Sequence, residues 1–381
     1  MDLAERLRQR RTQQRSGSAK PTKAMSVALP DGWHSVDEYL WQRSVTIPDV
    51  SSIPARKYTP PIWSKDMTLP FVPPALFAPL NDMAFFDIET TGLSSGAGTT
   101  VMLAGLGVPH HNDLYITQWF AVDFPGEAAL LQRLSEALQP VKHLVSYNGR
   151  SFDWPVVQSK ALMSGIHLPQ PVQVDLLHPA RRLFRGQLLD CSLATIEDGV
   201  LGLHRQLDLP GRDVPLKYQE FLKTGRPAVL LPIFAHHLQD IHSLHALLGY
   251  LRNTVAESET LLPRHNAVGQ AALIAAAGRD PQPFLQHAFE ESPVVYDVLT
   301  VGRILVQRAK RQRSWHGALQ LLNRIQQVAG LHRKWPAVER AKILEHRCKD
   351  YAAAVVALSG LPSEPDVEYR RQRLNRRLGA E

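Results

Sequence analysis

Two cysteines in 381 residues, Cys191 and Cys348, stand 157 positions apart. That is too few for a disulfide framework, and the spacing matches no thiolate metal site. A reducing cytoplasm is the expected compartment. The chain has no run of 18 uncharged apolar residues, so no membrane span is predicted. Its opening, MDLAERLRQRR, lacks the apolar stretch of a secretory signal. Acidic residues are outnumbered, 36 against 43 Lys and Arg, for a formal net charge of +7. The excess is uneven. Residues 1–23 carry seven basic and two acidic residues, and residues 303–350 carry twelve and three. The remainder is therefore net acidic by about seven. Basic flanks around an acidic centre suit a protein that neutralises phosphates at its ends and binds cations in its middle; solvated helix faces are the plainer alternative. A hydrophobic content of 44% suits a globular protein, and the length allows two domains or one with appendages.

Three acidic signatures occupy that centre: Asp87-Ile88-Glu89 in MAFFDIETTGL, Asp153 in SYNGRSFDWP and Asp240 in HHLQDIHSL. Met83 to Phe86 is a short apolar run, which reads as a buried strand. Residues i and i+2 of a strand face the same way, so Asp87 and Glu89 project together and both can hold one metal ion. Thr90-Thr91-Gly92 follows as a turn, and the small residues from Ser94 to Gly98 as a loop. A lone pair of this kind is usually solvated surface, but the apolar run before it favours a metal site. Leu144 to Tyr147 predicts a second strand, Asn148-Gly149 a turn, and Phe152-Asp153 the start of a helix running toward Met163. Asp153 can be a helix-start charge or a metal ligand. Pro232 to Leu251 shows apolar residues at three- and four-residue spacings, the mark of an amphipathic helix. His236 and Asp240 share one face of it. A carboxylate can then ligate metal while an imidazole one turn away takes a proton from water. His237 is a weaker candidate, and His242 and His245 crowd the same helix. Four carboxylates are what two divalent cations, Mg2+ or Mn2+, about 4 Å apart require for in-line phosphodiester cleavage.

These residues resemble the DEDD exonucleases of the ribonuclease H-like fold, and within them the YprB family, also called mitomycin repair factor B. The match spans roughly residues 80–254 and includes FFDIETTGLSSGAGTT, LVSYNGRSFDWP, VDLLHPARRLFR, CSLATIEDGVLGLHR, the LPGRDVP segment with Tyr218, and HHLQDIHSL. The resemblance implies that Asp87, Glu89, Asp153 and Asp240 are the metal carboxylates and His236 the general base, in the slot where many relatives carry Tyr. One departure is His237, where the family tends to have Asn. The implied activity is 3′-to-5′ exonuclease cleavage, on DNA in repair rather than RNA, beside a helicase partner. Thr90, Thr91, Gly92 and Asn148 are expected around the terminal nucleotide. Phe152 either stacks on a base or joins the core. Arg181 and Arg182, on a helix after Asp175, are expected as phosphate clamps. An exoribonuclease and a catalytically silent binding scaffold remain the rival readings.

The expected fold is α/β, a ribonuclease H-like mixed sheet flanked by helices, followed by an all-α tetratricopeptide-like region. The division is a basic disordered tail and Pro-rich arm over 1–80, the exonuclease domain over 81–254, and the helical region over 255–381. The arm, residues 28–80, carries Trp33, Trp41 and Trp63 and is predicted to pack, extended, over the catalytic domain. Strands are predicted near 83–89, 101–108, 114–121, 143–147 and 172–175, the first three as an antiparallel meander. Helices are predicted near 126–139, 153–163, 176–185, 192–199 and 227–252. The segment ERAKILEHRCKDYAAAVVAL reads as helix, turn, helix, and a single such repeat needs stacked neighbours.

Overall fold

The computed structural model describes residues 29–48, 69–92, 98–205, 209–256, 261–262, 265–292 and 294–379. The basic tail expected over residues 1–27, Trp63 of the arm, and Ser94 to Ala97 of the small-residue loop lie outside the described residues.

Seven strands form one sheet: β1 (His34–Asp37), β2 (Leu40–Ile47), β3 (Met83–Thr90), β4 (Val101–His110), β5 (Asp113–Ala121), β6 (His143–Ser146) and β7 (Val172–Asp175), in the spatial order β1-β2-β5-β4-β3-β6-β7. The meander β3-β4-β5 is antiparallel as expected. The strands β6 and β7 add in parallel on the far side of β3. Their crossovers are helices α1 (Gly126–Leu138) and α2 (Asp153–Met163). Where the sequence predicts an extended arm, residues 34–47 instead form a hairpin whose second strand pairs along the whole length of β5. Leu40 and Trp41 explain this: successive strand residues point to opposite faces, and these two enter the cores on the two sides of the sheet. Further along the arm, a short 3-10 turn at Pro74–Phe77 does pack on the domain. The buried Arg252 donates to the carbonyls of Leu76 and Ala78 at 2.9 and 2.7 Å.

The sheet's two faces follow from strand periodicity. Ala84, Phe86 and Ile88 of β3 turn toward α1 and α2, which offer Leu130, Leu131, Leu134, Trp154 and Val157. Met83 and Phe85 turn the other way. That second face is covered by α3 (Leu177–Phe184), the short α4 (Leu193–Ile196), α5 (Val214–Thr224) and the long α6 (Leu231–Ala256). On α6 the buried stripe runs through Phe234, His237, Ile241, Leu244, Leu248 and Leu251, a three- and four-residue rhythm that puts His237 inside it. Close approach of α6 to the sheet needs Gly105 of β4, since a Cβ there would lie 2.3 Å from Ile241 Cδ1 and 2.4 Å from His237 Cε1.

From residue 265 the described chain is helical: α7 (Ala267–Ala276), α8 (Gln282–Glu291), α9 (Val295–Arg311), α10 (Trp315–Ala329), α11 (Lys334–Ile343), α12 (Tyr351–Leu358) and α13 (Pro365–Leu378). The expected helix-turn-helix appears as α11 and α12, joined by a π turn and a left-handed Lys349 (φ 59°). Asp350 caps α12 by accepting from the Ala353 N–H at 2.9 Å. Ala337, Ala341, Ala354 and Leu358 from the two helices share one core with Val367 and Leu374 of α13.

Candidate active site

Asp87 and Glu89 lie at the carboxyl end of β3, two residues apart and on the same face, the face covered by α6. From α6, His236 points its Nε2 at both sides of the site, 3.3 Å from Asp240 Oδ2 and 3.7 Å from Glu89 Oε1. Asp153 opens α2 just after the Asn148-Gly149 turn that ends β6. The four carboxylates named in the sequence therefore converge, and they act on one another electrically. The carboxyl of Asp87 is pushed well above the usual range, first by burial, then by the charges of Asp240, Asp153 and Glu89. Glu89 is raised likewise by burial, Asp240 and Asp153. Asp153 is pushed up to about 7 by burial and by Asp175 and Asp240. Mutually repelling, half-buried carboxylates are costly and are characteristic of functional sites.

Three participants escaped the sequence reading. Asp175, at the end of β7, is a fifth carboxylate. Its Oδ1 accepts from the main-chain N–H groups of Asn148 (2.8 Å) and Leu177 (3.0 Å), while its buried Oδ2 has no partner among the described residues. The first of these contacts holds Asn148 in the left-handed region at φ 64°. A strand-end Asp is common, so no sequence signal separates this one. The second is Arg205, which donates to Glu197 (2.6 and 3.0 Å), to Asp240 Oδ1 (2.5 Å) and to His236 Nδ1 (2.7 Å). The third is Glu197 itself, fully buried in the π turn after α4. A guanidinium only donates, so Nδ1 of His236 is the acceptor and its hydrogen sits on Nε2, facing the carboxylates.

His237 has a different place. Its ring is wholly buried, Nδ1 accepts from the Gln118 amide at 2.8 Å, and Nε2 donates to the main-chain oxygen of Asp87 at 3.1 Å. The Gln118 amide oxygen in turn accepts from Arg43 of the hairpin at 3.1 and 2.6 Å. Arg43, Gln118, Gly105 and Asp87 lie abreast on four neighbouring strands. Burial lowers the His237 pKa to about 3, so the ring is neutral and positions the backbone beneath Asp87.

The other named residues divide. The Thr90 hydroxyl donates to the Gly92 carbonyl at 2.6 Å and the Thr91 hydroxyl accepts from the Thr100 N–H at 2.9 Å, so both shape the turn beside the site. Phe152 is 58% exposed, which removes the core alternative and leaves its ring beside Asp153 in solvent. Arg181 and Arg182 sit on the last turn of α3, away from the carboxylates, in a cleft against the helical region.

The donor set fits a hard divalent cation: the carboxylate oxygens of Asp87, Glu89, Asp153 and Asp240, with the buried, unpartnered Oδ2 of Asp175 beside them. As arranged here, no group of three or more His, Cys, Asp or Glu among the described residues stands ready to hold an ion. Asp240 Oδ1 instead accepts from Arg205.

Over residues 84–252 the chain matches the RNase_H_2 family of the RNase H superfamily. With the mixed sheet and its carboxylate-bearing central strand, this sets the class: an RNase H-like fold, the fold of a nuclease superfamily, followed by an all-helical part. Across 283 residues, 72% of this chain and 68% of the relative, it is 31% identical to the uncharacterized protein YprB of Bacillus subtilis (strain 168). The chain belongs to the YprB family. It is also similar, over 55% of its own length and 28% of the other chain, to the family B DNA polymerase from the hyperthermophilic archaeon Pyrobaculum calidifontis, at 14% identity and a TM-score of 0.37. No helix among the described residues is long and apolar enough to cross a membrane.

Proposed function

We propose that the chain is a 3′-to-5′ exonuclease that hydrolyses phosphodiester bonds, preferentially in DNA, with two divalent cations, Mg2+ or Mn2+. The observation that carries the reading is the convergence of Asp87, Glu89, Asp153 and Asp240 with His236 in one half-buried, electrically strained cluster. When bound, a divalent cation supplies Lewis-acid polarisation and a more acidic water. Asp87, Glu89 and Asp240 would hold one cation, and Asp87 with Asp153 the other. His236 takes the proton of the attacking water. Because Arg205 donates to Nδ1, the neutral ring carries its hydrogen on Nε2. Acting as a base would require that contact to open, so that the hydrogen lies on Nδ1 and the Nε2 lone pair faces the site. Arg205 also donates to Asp240 Oδ1, so the same opening would free that oxygen for ligation. The exposed Phe152 ring is suited to stack on the terminal base.

The test is degradation of 3′-labelled and 5′-labelled single-stranded DNA and RNA with Mg2+, Mn2+ or EDTA, by the wild type and by Asp87→Ala/Glu89→Ala. Metal-dependent shortening from the 3′ end, absent in the variant, supports the assignment and identifies the polymer. No cleavage of either polymer with any metal, alongside retained binding, sinks it and leaves a nucleic-acid-binding scaffold.

A further inference from the structure

Away from the carboxylate cluster, a cleft of about 760 Å3 opens between the nuclease fold and the helical region. One wall is the last turn of α3 with Arg181, Arg182 and Arg185; the others are the start of α7, the outer face of α9, and the start of α11. The seam beneath it is tight. The Asn266 N–H donates to the Leu183 carbonyl at 2.7 Å, and a Cβ on Gly269 would lie 2.2 Å from the Arg182 carbonyl oxygen. The two halves of the molecule therefore meet at close backbone contact along the cleft floor.

Its chemistry is one-sided. Six cations line it, and no Asp or Glu does so among the described residues. Lys334 is balanced by Glu364 and Asp366 at 2.5 and 2.9 Å. Among the described residues, none of the ion pairs involves the other five, Arg181, Arg182, Arg185, Arg303 and Arg333. Five guanidinium groups facing one space repel each other, and an anionic ligand with several charges relieves that repulsion. Aromatic faces are interleaved with them: Arg303 lies over the Trp335 ring at 4.8 Å, and Tyr296 is 58% exposed. Cations that follow a backbone, alternating with rings on which bases stack, are the two elements of single-strand recognition. A groove for an acidic protein surface would not need the rings.

We propose that this cleft binds the sugar-phosphate backbone and bases of a single nucleic-acid strand, as a second site apart from the carboxylate cluster. It deepens the exonuclease reading and rests on it for the identity of the ligand. The same helix joins the two sites. The residue before α3, Leu176, follows Asp175 of the cluster, and the end of α3 forms the cleft wall, roughly 12 Å along an eight-residue helix. The strand behind the cut end is thereby held by the helical region, which explains why that region is part of the molecule that cuts.

The experiment is fluorescence anisotropy with labelled 30-mer single-stranded DNA and RNA, in EDTA so that nothing is cleaved, using the full chain. Arg303→Glu/Arg333→Glu should weaken binding at least tenfold. Arg303→Gln/Arg333→Gln should flatten the slope of log affinity against log salt by about 1.4, at about 0.7 per lost phosphate contact. In parallel, photocrosslinking of a bromouracil-substituted strand to the wild type should mark peptides containing Tyr296 or Trp335. Unchanged affinity and salt slope in well-folded variants, with crosslinks confined to the carboxylate site, would overturn the proposal; so would no binding of either polymer by the wild type. Failure of the exonuclease reading shows elsewhere, as absence of cleavage when metal is restored.

Discussion

The Nε2 of His237 donates to the main-chain oxygen of Asp87 across 3.1 Å, from the second turn of α6 to the carboxylate strand. This contact, with the 2.8 Å contact from Gln118 on its other nitrogen, uses both ring atoms and leaves the imidazole no proton chemistry. It explains how a histidine next to His236 serves a different end. One residue of rotation on a helix is about 100°, enough to move a side chain from the site to the core.

Replacing His237 by Asn should therefore lower stability by about 2–4 kcal/mol and lower turnover, because the backbone under Asp87 loses its tether. The pH dependence has a definite sign. The folded pKa, about 3, lies below the ordinary value of 6.5, so the unfolded chain binds more protons between them. The stability contributed by the neutral ring is full above about 6.5 and lost as pH falls toward 3, of order 4 kcal/mol. Urea unfolding from pH 7 to 4 should show the gap between wild type and His237→Asn narrowing; a constant gap defeats the assignment.

Asp153 titrates with the opposite consequence. Its folded pKa, about 7, lies above the ordinary 3.8, so the stability gained from holding a proton is present below about 4 and lost as pH rises through 7. In metal-free protein, Asp153→Asn should raise the melting temperature at pH 8 and have little effect at pH 4. With saturating Mg2+ the gain at pH 8 should vanish, since only the wild type is stabilised by the ion. A variant that melts below the wild type at pH 8 without metal contradicts the repulsion described.

Gly105→Ala places a methyl group against Ile241 and His237 and should cost about 1–3 kcal/mol by overpacking. Adding Ile241→Val, which removes the Cδ1 atom in conflict, should recover part of it. Equal thermal denaturation for Gly105→Ala and wild type would mean that α6 does not lie so close to β4.

Arg205 and Glu197 form a buried pair, with side chains 12% and 1% exposed. Arg205→Ala leaves Glu197 uncompensated and should destabilise by about 3–5 kcal/mol. A double-mutant cycle with Glu197→Gln should return a coupling of about 1–3 kcal/mol. Additive effects of the two substitutions would place the guanidinium elsewhere in solution.

Much of this architecture was legible before any coordinates. The strand ending in Asp87 and Glu89 announces itself because period two puts two carboxylates together after a buried run. The helix carrying His236 and Asp240 does so by its apolar rhythm. The hairpin at residues 34–47 is hidden in the sequence, because Pro-rich flanks and scattered tryptophans carry no period, and its pairing with β5 joins residues 67 (Ile47 with Leu114) to 81 (Leu40 with Ala121) positions apart. Asp175, Glu197 and Arg205 were equally silent, since a charged residue's meaning lies in what stands opposite it.

The strands from β3 onward, the long helix α6, the family resemblance and the four candidate carboxylates can be read from the chain, since these depend on local periodicity and on residue types in a fixed order. Only the tertiary structure shows which histidine faces the site and which supports it, that Arg205 pairs with Asp240, and that Arg181 and Arg182 face a cleft instead of the carboxylates. The physical reason is the same in each case. Hydrogen-bond partners and electrostatic neighbours are set by distances in space between segments far apart in the chain, and no local pattern encodes those distances.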